Sequence, residues 1–224
     1  MRTKTLILTA AIVAGSLATS LAQTTNVYSA NIVGYVNKVN VPGYQMIANP
    51  LNGTNNTVVS IFASPPDYLT VFKRNAGGTG YDSSTYDPDV PGWTDPTLTL
   101  APGQGAFLFN PLVGNYTNTF VGEVTLNSTN TYTEGYSIRA SVVPQSGGVQ
   151  TVLLLPVAPS DPKNTTIFRF NAGGSGYTSS TYDTEDLGGT WTPSEPSPGV
   201  GESFWIANGS GNGTKQWIRN FTVN

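Results

Sequence analysis

After residue 22 the apolar residues fall in short runs rather than in helical stripes. Tyr28 to Val39, Gln45 to Ala48, Thr70 to Lys73, Ala106 to Phe109, Phe120 to Leu126, Thr151 to Leu155, Thr166 to Phe170, Ser203 to Ala207 and Trp217 to Val223 are rich in Val, Ile, Phe, Tyr, Trp and Thr. Gly, Pro, Asn and Asp bound these runs, which is the patterning of strands. No window of about twelve residues keeps apolar positions at helical spacing. The pattern leaves room for one helical turn, near Ser60 to Ser64 or Asn164 to Thr166. It predicts an all-β fold.

The runs also repeat. Asn75 to Asp87 (NAGGTGYDSSTYD) and Asn171 to Asp183 (NAGGSGYTSSTYD) agree at eleven of thirteen positions, 96 residues apart. Gly43-Tyr44 matches Gly135-Tyr136, Thr70 to Phe72 matches Thr166 to Phe168, and Gly103 to Asn110 matches Gly201 to Asn208. The offset between mates grows along the chain, so the insertions fall in loops. The expectation is two tandem homologous units, each a β-sandwich or small barrel. Residues 1–22 form a signal peptide, 23–31 an N-terminal extension, 32–119 unit 1 and 120–224 unit 2. The strand opening unit 1, Ile32 to Val36, has further copies at Phe120 to Val124 and Trp217 to Phe221. Three copies for two units imply a shared boundary strand, with one terminal copy able to pair with a neighbouring molecule.

Gly43 to Leu51 (GYQMIANPL), the Val71-Phe72 strand, the Tyr-rich loop and Leu100 to Phe109 (LAPGQGAFLF) together resemble a module repeated in exported bacterial proteins. The lead-in VYSANIVGYVN (Val27 to Asn37) is similar to exported all-β repeat proteins abundant in Verrucomicrobia and their relatives. The resemblance covers nearly all of the chain after residue 22 and fits unit 1 better than unit 2. It implies an exported all-β module and brings no chemistry with it.

Composition narrows the function classes. Arg2 and Lys4 precede an apolar run from Leu6 to Leu17, and Ser20-Leu21-Ala22 supplies a cleavage site after Ala22. The run is short for a membrane span. Export to the cell surface, the extracellular space or the periplasm is the expectation. The chain has no cysteine and no histidine, which excludes disulfides, thiol catalysis and His-based acid–base or zinc chemistry. The net charge is −3, and removing Arg2 and Lys4 makes it −5. Scattered cations weigh against nucleic acid as a partner.

Three candidate chemistries remain. Tyr81, Tyr86 and Trp93, with their mates Tyr177, Tyr182 and Trp191, are candidate sugar-stacking rings, whereas Phe107 and Trp205 read as core. Asp82, Asp87 and Asp89 are candidate calcium ligands, although the mate of Asp82 is Thr178. Glu123 and Glu202 are the carboxylates a glycosidase would need, but their mates, Asn220 and Gln104, cannot do that work. The glycine-rich loops lack the following helix of a phosphate site and read as hairpins. The sequence thus supports a non-enzymatic exported structural or surface protein that assembles with itself through terminal strand pairing. The alternative is a module that binds extracellular polysaccharide through its loop tyrosines and tryptophans. No cofactor is implied beyond calcium.

Overall fold

The structure, a computed structural model, describes residues 32–90 and 92–222. The expected signal peptide and the extension to residue 31 lie outside them. Among the described residues no helix is long and apolar enough to cross a membrane.

The chain is all-β and consists of two similar units. Unit 1 holds β1 (Val33–Asn40), β2 (Gly43–Ala48), α1 (Val58–Ile61), β3 (Thr70–Arg74), β4 (Tyr81–Asp87), β5 (Gly92–Trp93), β6 (Gly105–Asn110) and β7 (Tyr116–Glu123). Unit 2 holds β8 (Asn127–Tyr132), β9 (Gly135–Arg139), β10 (Thr165–Phe170), β11 (Tyr177–Asp183), β12 (Thr190–Thr192), β13 (Phe204–Asn208) and β14 (Lys215–Asn220). Unit 1 has a five-stranded sheet of order β2-β6-β3-β4-β5 and a β1–β7 ladder. Unit 2 has β9-β13-β10-β11-β12 and a β8–β14 ladder. The two orders correspond strand for strand, and all pairs are antiparallel.

The boundary strands differ from the sequence expectation. β7 contains the middle copy of the opening motif, and it pairs with β1 from Val33–Glu123 to Asn40–Tyr116. Unit 2 opens with its own strand, β8, which pairs with β14. Among the described residues no named strand pairs in both ladders. The likeness of Val33–Val36 to Val121–Val124 is that of two partners in one ladder, which share one environment. β8 escaped the apolar pattern because it reads NSTNTY and only Tyr132 is fully buried in it.

Each core lies between ladder and sheet. In unit 1, Phe120 and Val36 of the ladder meet Ile47, Val71, Ala106 and Leu108 of the sheet, and α1 closes the side with Val58 and Ile61. In unit 2, Trp217 and Tyr132 meet Ile167, Phe204 and Ile206, with Val149, Leu153 and Leu155 from the preceding loop. The helical turn forms at Val58–Ile61, where Thr57 caps its amino end by accepting from the Ser60 N–H at 3.4 Å. Thr151 to Leu155, patterned like a strand, is a turn instead, with Leu153 and Leu155 buried and Val152 and Leu154 exposed. Its backbone finds side-chain partners. The Glu195 carboxylate accepts from the Gln150 and Thr151 N–H groups (2.6 and 2.8 Å), and Trp217 Nε1 and Arg219 Nη1 donate to the Leu153 and Val152 carbonyls (both 2.6 Å). With these groups satisfied, no ladder is required.

The units join by reciprocal contacts. The Ala48 N–H donates to the Gly201 carbonyl at 2.9 Å, and the repeat mates answer with Ala140 N–H to the Gly103 carbonyl at 3.1 Å. Gly105 sits where this approach is tightest. A Cβ there would lie 2.3 Å from Ile138 Cγ2 and 2.5 Å from Ser203 Cβ. The Arg169 guanidinium grips Glu202 with two bonds of 2.7 and 2.9 Å. Lys38 of unit 1 shares this charge cluster, and burial holds its ammonium below the usual lysine range although Glu202 opposes that.

Candidate functional site

The parity of the strands decides which aromatic rings reach a surface. Successive strand residues point to opposite faces. Tyr81 and Tyr86 are five apart on β4, so they cannot share a face, and the same holds for Tyr177 and Tyr182 on β11. Tyr86, Trp93, Tyr182 and Trp191 turn toward the cores. The Tyr86 and Trp93 rings lie 6.0 Å apart, and those of Tyr182 and Trp191 lie 5.4 Å apart. Trp93 is 8% and Tyr182 2% exposed. These four candidates therefore form no open platform.

Tyr81 and Tyr177 point the other way, at 46% and 44% exposure. The outward positions of the neighbouring strands are aromatic as well. On β6 the inward residues are Ala106 and Leu108, whereas Phe107 and Phe109 face out. On β13, Phe204 and Ile206 are buried and Trp205 faces out. Phe107 and Trp205, expected in the core, thus belong to the outer face. Tyr44 on β2, Phe72 on β3, Tyr136 on β9, and Phe168 and Phe170 on β10 complete it.

The rings touch in two groups, one within unit 1 and one that crosses both units. Tyr44 meets Phe109 at 4.8 Å and Phe72 at 6.1 Å. Tyr81 meets Phe107 at 6.0 Å, and Phe107 meets Phe170 of unit 2 edge-on at 5.5 Å. Phe170 meets Tyr177 at 5.3 Å, and contacts of 6.2 to 6.4 Å link Tyr177, Phe168, Tyr136 and Trp205. Burial, then the neighbouring Tyr177, pushes the Tyr81 hydroxyl above the ordinary tyrosine range.

The band contains two recesses, and each unit lends one residue to the other's. Tyr44, Phe72, Tyr81 and Phe107 of unit 1, with Phe170 of unit 2, line one of about 360 Å³. Tyr136, Phe168, Tyr177 and Trp205 of unit 2, with Arg74 of unit 1, line the other, of about 390 Å³. Arg74 ends β3 as Phe170 ends β10, and Phe107 is the mate of Trp205. The same exchange therefore occurs twice with different chemistry. Arg74 lies over the Trp205 ring at 5.0 Å, a cation–π contact. Its guanidinium also donates to the carbonyls of Tyr136 and Gly78.

The repeated loops are hairpins that hold this edge. The Asn75 N–H donates to the Gly80 carbonyl at 3.0 Å, Gly78 takes φ +69°, and the return strands begin at Tyr81 and Tyr177. The Gly173 N–H donates to the Tyr44 carbonyl at 2.9 Å, so the second hairpin packs on unit 1. The signal for the band was present in the sequence as Phe107 and Phe109 alternating with Ala106 and Leu108 on β6, Phe168 following Ile167 on β10, and Trp205 between Phe204 and Ile206 on β13.

The carboxylates do not converge. Asp82 faces Lys73 across the β3–β4 pair. It is the second residue of the strand that Asp87 ends, about 16 Å away at the rise of a strand, and on the opposite face. Asp87 caps its own turn by accepting from the Asp89 N–H at 2.9 Å. Among the described residues no group of three or more acidic side chains is placed to hold a metal ion. Glu202 is tied to Arg169, while Glu123 lines a separate cleft with Asn49, Asn52 and Asn55. No family model, curated protein or solved structure matches this chain.

Proposed function

We propose that the chain is a non-catalytic exported surface protein whose aromatic band holds carbohydrate. The observation that supports this reading is the run of touching outward rings from Tyr81 through Phe107, Phe170, Tyr177, Phe168 and Tyr136 to Trp205, which crosses both units and leaves its tyrosines exposed. Such rings offer a flat apolar body to the C–H face of a sugar and a hydroxyl to its rim. The two recesses lie at the low end of the volumes that small ligands occupy. Their arrangement along one band suits a chain-like polysaccharide that spans both units. Tyr81 and Tyr177 keep the role the sequence suggested, and Tyr44, Tyr136 and Trp205 join them. The expected assembly through the first strand draws on a different surface, the edge of β1 that does not pair with β7.

Retention on a panel of immobilised polysaccharides tests the reading. The double variant Tyr136→Ala and Trp205→Ala is expected to weaken retention about tenfold or more at an unchanged melting temperature. Retention equal to that of the parent, or no binding across neutral and acidic polysaccharides, sinks it.

A further inference from the structure

β1 is an open edge. Its backbone pairs with β7 on one side, and among the described residues no strand pairs with the other. Natural edge strands are commonly protected by outward charges, by proline or by a cover. β1 contains no proline, and its one charged residue, Lys38, turns inward toward Gly201 and Glu202. The outward face is apolar instead. Val33, Tyr35 and Val39 are 67%, 73% and 52% exposed, and Val121 beside Tyr35 on β7 is 64% exposed. Asn37 and Thr119 sit between them, joined by a 2.7 Å hydrogen bond. The equivalent face of the β8–β14 ladder presents Asn127, Thr129, Thr131, Gln216 and Asn220, with Ile218 alone apolar.

We propose that β1 docks against β1 of a second copy of this chain, antiparallel and about a two-fold axis, so that two ladders become one four-stranded sheet. Three features select a second copy as the occupant. The edge strand supplies backbone donors and acceptors that another β1 matches by symmetry. The central part of the face, from Tyr35 to Val39, is uncharged, so two chains of net charge −3 meet there without like-charge repulsion. A register centred on Asn37 sets Tyr35 of each copy beside Val39 of the other, apolar against apolar on one face. The contact is separate from the aromatic band and stands whether or not the band holds carbohydrate.

The absence of cysteine makes the test clean, because one introduced thiol reports its own surroundings. Asn37→Cys is expected to form a disulfide-linked dimer at least about tenfold faster than Thr129→Cys on the other ladder, since a two-fold contact brings its two sulfurs within bridging reach. Sedimentation equilibrium of the unaltered chain should show a dimer. Tyr35→Lys should return it to monomer and Ile218→Lys should not, with melting curves confirming that both fold. If Tyr35→Lys fails to fold, the cysteine pair carries the test. Equal oxidation rates, a chain that stays monomeric to about 1 mM, or a dimer that survives in folded Tyr35→Lys overturns the proposal. Polysaccharide retention by Tyr35→Lys is expected to be unchanged, which keeps the failure of one reading distinct from failure of the other.

Discussion

The two ladders occupy the same place in their units and are built on opposite plans. The β1–β7 ladder turns Val36, Tyr116 and Phe120 inward, and leaves Val33, Tyr35, Val39 and Val121 outside. The β8–β14 ladder turns Trp217, Tyr132 and Arg219 inward and leaves Asn, Thr and Gln outside, with Ile218 as the single apolar residue. Duplication kept the geometry of pairing, which depends on the backbone. It did not keep the side-chain chemistry, which depends on what each face meets. The polar outer face of ladder 2 shows that this position needs no apolar residue for folding. The apolar face of ladder 1 therefore asks for another explanation, and contact with a second copy supplies one. The recesses teach the same lesson, since Arg74 closes one and Phe170 the other.

The largest effect should come from the inward residues. Trp217 is fully buried and its Nε1 donates to the Leu153 carbonyl. Trp217→Ala should cost about 3–5 kcal/mol, because it opens a cavity and orphans a buried acceptor. Phe120→Ala in the other ladder should fall at or below the lower end of that range. The reciprocal bonds between units argue that both losses appear in one calorimetric transition. Two separated transitions would break the picture of units locked together.

The next effect sits at the join. Gly105→Ala places a Cβ against Ile138 and Ser203, where overpacking costs about 1–3 kcal/mol. The mate position already carries a side chain, Ser203, whose Oγ makes only a long 3.4 Å bond to the Ala106 carbonyl. Ser203→Ala should therefore change stability by less than about 1 kcal/mol. Equal losses from the two variants in chemical denaturation would mean that the approach is equally tight on both sides.

Much of this was legible in the sequence. The 96-residue repeat and the strand runs specify two all-β units, because apolar alternation and turn residues act locally. The hairpins at Asn75 and Asn171 were readable for the same reason. β8 was hidden because its outer face is polar and its inner face contributes little beyond Tyr132. The turn at Thr151 to Leu155 reads as a strand in the sequence because Leu153 and Leu155 alternate toward the core as strand residues would, whereas its backbone is satisfied by Glu195, Trp217 and Arg219. Of the candidate rings, Tyr81 and Tyr177 reach the band, whereas Tyr86 and Tyr182 fail by parity. That parity is visible in the sequence once β4 and β11 are recognised as strands. The reciprocal exchange of Arg74 and Phe170 was not visible, because it depends on how two units pack.

The smallest effect separates two inward tyrosines, one in each ladder, Tyr116 half-buried and Tyr132 fully buried. The Tyr116 hydroxyl donates to Asn118 Oδ1 at 3.0 Å, and burial pushes its pKa up to about 12. Tyr132 donates to the Pro156 carbonyl at 3.1 Å and is raised further, by deeper burial and by Asp161. An unfolded chain ionises tyrosine near pH 10. A folded pKa above that value means the hydroxyl's contribution is whole below about pH 10 and is lost as pH rises through the folded pKa. Tyr116→Phe should therefore lower the melting temperature slightly at pH 8. The deficit should shrink as pH climbs from 10 toward 12, because the variant no longer has that proton to lose. Tyr132→Phe should follow the same course over a longer span of pH, with a larger deficit at pH 8 because it leaves the Pro156 carbonyl without its phenol. A deficit independent of pH in both variants would show that neither hydroxyl is held protonated by burial, and the distinction between the two ladders would then rest on their outer faces alone.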